Sequence, residues 1–474
     1  MSTASTAPAD TPTSAAGDSP MGPSGTGSTT TGASPSTQAA SAAATNAPAA
    51  DASAAATHGR PSMAAAFHQP RSVWAIAFAA TVSFMGIGLV DPILPAISEE
   101  LHASPTQAML LFTSYLFITA IAMLFTSWIA SRMGTRTTLL VGLALIIVFA
   151  GLAAAGTSVD EIIALRGGWG LGNALFISTA LAAIVGASAG SSAGAIMLYE
   201  TALGIGMAFG PLLGGLLGSW TWRAPFAGTA VLMALGFIAI MALLPRSAAK
   251  PAPVEPTAAL RALGDPALRT LACTAVFYNF SFFTLLAYSP FPLSAAAAAH
   301  GRELGAMGIG WVFFGWGLGL ALTSVVGAPI LTRALGLVRT LVATMAGLIA
   351  VMLLMAALQS SLAAMVVVII AGGLLQGIMN TALTETVMEA TALPRSVASS
   401  AYSGVRFFGG AVSAAVAGPI AAALGAPVPY LVAALAIAVG IVILLTGRGT
   451  LHRVTRPHLS AEEEATAITS GDEV

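Results

Sequence analysis

Residues 137–156 read TTLLVGLALIIVFAGLAAAG, without one ionisable acid or base. At about 1.5 Å of rise per residue, such a helix matches the roughly 30 Å hydrocarbon thickness of a bilayer. Lipid offers no hydrogen-bond partner, so every backbone N–H and C=O must be satisfied within the segment, as an α-helix does. Apolar stretches of similar length recur on both sides. They lie near 73–97, 107–130, 160–186, 195–218, 224–245, 270–292, 306–330, 338–358, 362–390, 397–422 and 428–447, and with 137–156 they make twelve spans. Composition agrees: 56% of the 474 residues are hydrophobic and 8% charged, with a mean hydropathy of +0.86, against roughly 25% charge in a soluble domain. The chain reads as an all-α membrane protein of twelve transmembrane helices. Soluble enzymes, fibrous repeats and nucleic-acid binders are disfavoured together, and a net charge of −1 offers no basic field for a polyanion.

The flanks are polar. Residues 1–60 contain no Leu, Ile, Val, Phe, Tyr or Trp and cannot bury enough apolar surface to offset ordering. Residues 1–70 are therefore expected to be a disordered cytoplasmic tail. Met63 opens MAAAFHQPRSVWAIAF, which itself reads as a membrane-protein N-terminus. Residues 449–474 form a second polar tail, and the longest internal polar break, 246–269, separates six spans (71–245) from six (270–448). With the N-terminus inside, one side collects Arg60, Arg71, Arg132, Arg136, Arg246, Lys250, Arg261, Arg269, Arg333, Arg339, Arg395, Arg448, Arg453 and Arg456, and the other only Arg223 and Arg302. That asymmetry sets both termini in the cytoplasm. Cys273 is the single cysteine, so neither a disulfide nor a thiolate metal site is available, and the histidines fall in loops and tails. No cofactor, metal or nucleic acid is expected.

The halves repeat one another. Gly170-Leu171-Gly172-Asn173 in span 4 is echoed by Gly377-Ile378-Met379-Asn380 in span 10. Tyr199 and Gly206 of span 5 have the spacing of Tyr402 and Gly409 of span 11. Span 1 ends Val90-Asp91-Pro92-Ile93, and span 7 ends Tyr288-Ser289-Pro290-Phe291. All offsets are near 200 residues. Two six-helix bundles in parallel orientation follow, with a binding site between them.

Span 5 carries Gly206-Met207-Ala208-Phe209-Gly210-Pro211-Leu212-Leu213-Gly214-Gly215. Glycines four apart make a flat face for close helix approach, and Pro211 removes a backbone donor. Helix packing alone would account for this. As an ordered string, however, Gly206, Gly210, Pro211, Gly214 and Gly215 resemble the antiporter motif of the twelve-span drug:proton antiporters of the major facilitator superfamily, with Met197 where that motif has a further Gly. Arg166 to Ala174 resembles the superfamily's span 4 motif, with Trp169 in place of Gln. Asp91-Pro92-Ile93-Leu94-Pro95 resembles its span 1 ending. Ser127 to Arg136 resembles its loop after span 2, with Ser127 and Ser131 where that loop has Gly and Asp. The resemblance covers about residues 72–448 and implies the major facilitator fold. In that loop the family's Asp helps to lock the cytoplasmic side, a role that Ser131 leaves open here.

A charge within a span costs several kcal/mol unless it is paired or faces water. Asp91 and Arg166 fall at similar depth and suit a pair, either a static one fixing the bend at Pro92 or the proton-coupling pair that the resemblance implies. Glu200 is either an interfacial carboxylate or a second proton carrier. Glu385 and Glu389 share a helix face, and with Arg406, Arg132 and Arg136 they suit a gating or structural ion network. Tyr115, Asn173, Tyr278, Asn279, Gln376, Asn380 and Tyr402 are candidates to line a substrate cavity, or to bond one helix to the next. Trp220 and Trp222 read as interfacial anchors. No phosphate-binding loop is present, which argues against direct ATP drive.

The expected function is proton-coupled export of small amphipathic compounds across the inner (plasma) membrane by a monomer working through alternating access. The alternatives are a symporter importing a nutrient or metabolite, a dedicated siderophore or metabolite exporter and, further off, a non-transporting membrane sensor. An enzyme is not expected.

Overall fold

The computed structural model describes residues 69–187, 192–245 and 253–451; the expected N-terminal tail lies outside them. Among the described residues, twelve helices are long and apolar enough to cross a membrane. In chain order they are span 1 (Arg71–Gly88), span 2 (Pro105–Met133), span 3 (Thr135–Ala155), span 4 (Val159–Ala187), span 5 (Ser192–Gly218) and span 6 (Ala224–Leu243). Span 7 (Pro266–Tyr288), span 8 (Ala306–Leu335) and span 9 (Leu337–Ala357) follow, then span 10 (Leu362–Ala390), span 11 (Arg395–Leu424) and span 12 (Val428–Thr446). We call the end where span 1 meets span 2 the far end, and the opposite end the near end.

Span 1 is shorter than the expected 73–97. It stops at Gly88, passes through a tight turn at Asp91–Ile93 and restarts as a separate helix at Leu94–Glu100. Pro92 and Pro95 lack the N–H groups that would carry the helix on. Span 7 behaves alike: its ladder widens to a π-turn at Thr284–Tyr288 and restarts at Pro290–Ala299. Paired breaks at equivalent places mark duplicated halves.

Helix starts follow local chemistry. The Ser104 hydroxyl accepts the Gln107 N–H at 3.2 Å while the Gln107 amide oxygen accepts the Ser104 N–H at 2.9 Å, a reciprocal cap for span 2. Asp265 caps span 7 by accepting the Leu268 N–H at 2.8 Å. The links from span 2 to span 3 and from span 8 to span 9 both turn on a left-handed glycine, Gly134 (φ 84) and Gly336 (φ 80). A Cβ at either position meets open space, so only the backbone conformation demands glycine. Gly134→Ala should therefore cost about 1–2 kcal/mol, read as a lower melting temperature in detergent with efflux reduced rather than lost.

Within the first half, span 1 packs on spans 4, 5 and 6, and span 4 on spans 2 and 3; within the second, span 7 packs on spans 10, 11 and 12, and span 10 on spans 8 and 9. Two seams join the halves, span 2 against span 11 and span 5 against span 8. At the far end the short helices Leu94–Glu100 and Pro290–Ala299 also touch. Trp220 is 74% exposed, as an interfacial anchor should be. Trp222 corrects the expectation: it is 1% exposed and packs edge-on against Phe226 of span 6, with the Arg223 guanidinium 4.2 Å from its ring centre.

Candidate transport site

Span 5 lies between two partners. A Cβ on Gly206 would stand 2.5 Å from the Thr81 carbonyl oxygen, one on Gly210 2.6 Å from that of Met85, and one on Gly214 closer still to that of Leu89. Three glycines four apart thus meet three span 1 carbonyls four apart, backbone on backbone. The next face of the helix meets the other half. A Cβ on Gly215 would stand 2.7 Å from the Ala306 carbonyl oxygen, and one on Gly310 of span 8 2.7 Å from that of Pro211. The string therefore builds the core of one bundle and one of the two seams at once. Span 11 repeats half of the device, with Gly409 seated on the Val276 carbonyl of span 7.

In the first half, Arg166 is fully buried. Its guanidinium lies 4.5 Å from the ring centres of Tyr115 and Trp169 and 5.9 Å from that of Phe112, and its Nε donates to the Leu111 carbonyl at 3.4 Å. A cation held by aromatic faces is attracted to their negative quadrupoles. Asp91 lies on the turn that ends span 1 and Glu200 on span 5. Their side chains lie outside the described ones, so the expected Asp91–Arg166 pairing does too. Trp169, the departure from the family's Gln, fits because span 1 offers Gly86: a Cβ there would sit 3.0 Å from the indole.

The repeated asparagines have equivalent partners. Ser83 of span 1 donates to the Asn173 amide oxygen at 2.5 Å. Tyr278 of span 7 lies 3.1 Å from the Asn380 amide oxygen and 3.2 Å from the Gln376 carbonyl. The Trp316 indole N–H donates to the Gln376 side-chain oxygen at 2.8 Å, and Phe282 stacks edge-on against Trp316. Asn279 donates to the Arg406 carbonyl at 2.9 Å, while the Arg406 guanidinium lies 5.7 Å and 5.4 Å from the Tyr402 and Phe407 ring centres. Tyr278, Asn279, Gln376, Asn380, Arg406 and Tyr402 thus converge on spans 7, 10 and 11. In the first half Tyr115 meets Arg166, while Asn173 is bonded to Ser83 of span 1.

The near-end charges divide differently from the expected network. Glu385 shares its surroundings with Glu389 and with Arg333 of span 8, and the Arg406 guanidinium lies beside the Tyr402 and Phe407 rings. Arg136 donates to the Met241 carbonyl at 2.6 Å, serving the orphan carbonyls at the end of span 6, and Arg132 is exposed. Trp316, Ser83 and Arg333 were not among the expected site residues. Trp316 stands about 200 residues after Tyr115, the one trace of its place.

Comparison with known proteins agrees with this architecture. The family model for the Major Facilitator Superfamily matches residues 76–296. The chain is 49% identical over 390 residues to the "Multidrug efflux protein YfmO" of Bacillus subtilis (strain 168), an alignment covering 82% of this chain and 96% of that one. The chain belongs to the Major Facilitator Superfamily. It is accordingly a multi-pass membrane transporter. The crystal structure of the human organic anion transporter MFSD10 (TETRAN) shares the fold, with a TM-score of 0.63 at 17% identity over 79% of this chain and 99% of that one.

Proposed function

We propose that this facilitator-superfamily protein exports small amphipathic compounds from the cytoplasm in exchange for protons. It acts as a monomer in the plasma membrane, with its near end and both termini facing the cytoplasm. The observation that carries this reading is the 49% identity, along almost the whole of the relative, to a protein named for multidrug efflux.

The geometry supports a mechanism of alternating access. Glycines bring the halves close at both seams: Gly215 of span 5 meets Gly310 of span 8, and Gly418 of span 11 lies against Thr106 and Met109 of span 2. Small residues at such contacts let helices of the two bundles approach closely, with Phe209–Phe314 and Phe117–Phe408 ring pairs beside them. Proton exchange needs a group whose affinity for a proton differs between the two tilts, since only a differential interaction shifts a conformational equilibrium. Asp91 and Glu200 are the proposed carriers, with Arg166 tuning Asp91. Tyr115, Asn173, Tyr278, Asn279, Gln376, Asn380 and Tyr402 supply hydrogen bonds and ring faces to cargo.

In everted vesicles energised by a pH gradient, Asp91→Asn and Glu200→Gln should each abolish ethidium transport while the protein remains at normal levels in the membrane. Full transport by both variants would refute the assignment.

A further inference from the structure

Gln376 of span 10 and Trp316 of span 8 are both fully buried, and their contact fixes which way the Gln376 amide faces. An indole N–H can only donate, and that of Trp316 donates to the Gln376 side-chain oxygen at 2.8 Å. Span 8 comes within reach because span 10 carries no side chain where the two cross. A Cβ on Gly373 would run into the Trp316 carbonyl, and one on Gly377 into that of Leu320. The amide cannot turn over without setting its own NH2 against the indole N–H. Its oxygen is therefore taken, while its Nε2 has no hydrogen-bond partner among the described residues. A buried donor left in that state is unfavourable, and packing alone does not call for it, since a methionine has a similar volume. The surroundings are aromatic. Phe282 and Phe313 stand edge-on to Trp316, with centres at 5.6 Å and 6.1 Å, and Tyr278 lies 3.2 Å from the Gln376 backbone carbonyl. Arg406 and Tyr402 are the electrostatic neighbours of Tyr278. The other amides differ. Asn279 commits its NH2 to the Arg406 carbonyl, and Asn380 faces the Tyr278 hydroxyl, which can give or take a proton and so fixes no orientation.

We propose that Gln376 is a hydrogen-bond donor to cargo, held in that role by Trp316, and that this subsite of the second half selects flat aromatic compounds bearing an uncharged carbonyl oxygen (ketones, quinones, lactones and amides). A site built to bond a polar group on its cargo disfavours the analogue that lacks it, because the buried partner is then left unpaired. An ammonium group has protons but no lone pair for Nε2, and it would share the region with the Arg406 charge. Ethidium, which has no carbonyl, is held by ring faces without help from this amide. Trp316 is a positioning residue that acts through Gln376. The subsite rests on the proposed export of small amphipathic compounds and narrows their chemistry.

The test uses the full-length protein in lipid nanodiscs and two tritiated probes, fluorenone and fluorene, three-ring compounds alike except for the carbonyl oxygen. Both affinities are expressed against the probe concentration in the lipid, with empty nanodiscs as background. Wild type should bind fluorenone about tenfold more tightly than fluorene, as expected for one hydrogen bond to an otherwise unpaired donor. Gln376→Met should bring that ratio close to one, and Trp316→Phe, which frees the amide to turn over, should leave it in between. The infrared carbonyl stretch of bound fluorenone should lie at lower frequency than in lipid for wild type. It should return to the lipid value in Gln376→Met and divide into both bands in Trp316→Phe, a division that a merely structural role for Trp316 would not produce. Equal binding of the two probes by wild type, or an undiminished preference in Gln376→Met, would overturn the proposal. So would an unshifted carbonyl band in wild type, a reading that needs no variant to fold. A tenfold ketone preference in a protein that fails to exchange ethidium for protons in everted vesicles would support the subsite while refuting the export reading.

Discussion

Gly210→Val should leave cells unable to export ethidium, with little protein recoverable from the membrane. The added Cβ alone would stand 2.6 Å from the Met85 carbonyl oxygen and 3.2 Å from its Cα. The obstruction is backbone, which cannot rotate away as a side chain can. Overpacking of a well-filled interior costs about 1–3 kcal/mol, and a branched residue at this spot lies at the upper end. Spreading span 5 from span 1 also shifts it along span 8, so the loss reaches the seam as well as the bundle. Gly151→Val on span 3 is the matched control. Nothing lies within 4 Å of a Cβ there, and efflux should stay at the wild-type level. Dye efflux and membrane abundance, measured side by side, check both. A Gly210→Val protein with normal abundance and normal efflux would contradict the packing described.

Arg166→Lys should be almost as damaging for export while sparing the fold. The guanidinium is planar and weakly hydrated, and it lies against Tyr115 and Trp169 at equal distances. A lysine ammonium is a compact, strongly hydrated point charge that cannot reproduce two stacked faces or the Nε bond to Leu111. Desolvated cation–π contacts are worth roughly 2 kcal/mol each. Export should fall at least tenfold, with membrane levels near normal because charge and approximate volume persist. Arg166→Ala should lose protein as well, since it opens a cavity among Phe112, Tyr115 and Trp169. Wild-type transport rates in Arg166→Lys would show that the aromatic nest is packing only.

Span count and the division into halves were legible because hydrocarbon thickness dictates length, and length survives in sequence. Gly206, Gly210 and Gly214 could be read because a four-residue rhythm is local, although nothing local says that Gly215 meets Ala306 of the other half. The Ser83–Asn173 and Tyr278–Asn380 partnerships were half visible: the asparagines repeat, but their hydroxyl partners sit in apolar helices without a signal of direction. Trp222 was misplaced because an indole near a span end suits either an interface or a core, and the choice depends on Phe226, which stands four residues later in the first turn of span 6. Arg333 was missed as the neighbour of Glu385 because the two meet across spans 8 and 10, which sequence order does not reveal. The 253–265 segment reads as polar linker because its packed residues, Val254, Ala258, Ala259, Ala262 and Leu263, are few and interspersed with charged and polar ones.

The contact between Trp169 and Gly86, where a Cβ would lie 3.0 Å from the indole, couples the two positions in energy. Any side chain at Gly86 meets the indole, and a smaller residue at 169 leaves an empty slot where the ring now lies. Enlarging one position while shrinking the other should therefore cost less than the sum of the two single changes, the non-additivity expected of residues in direct contact.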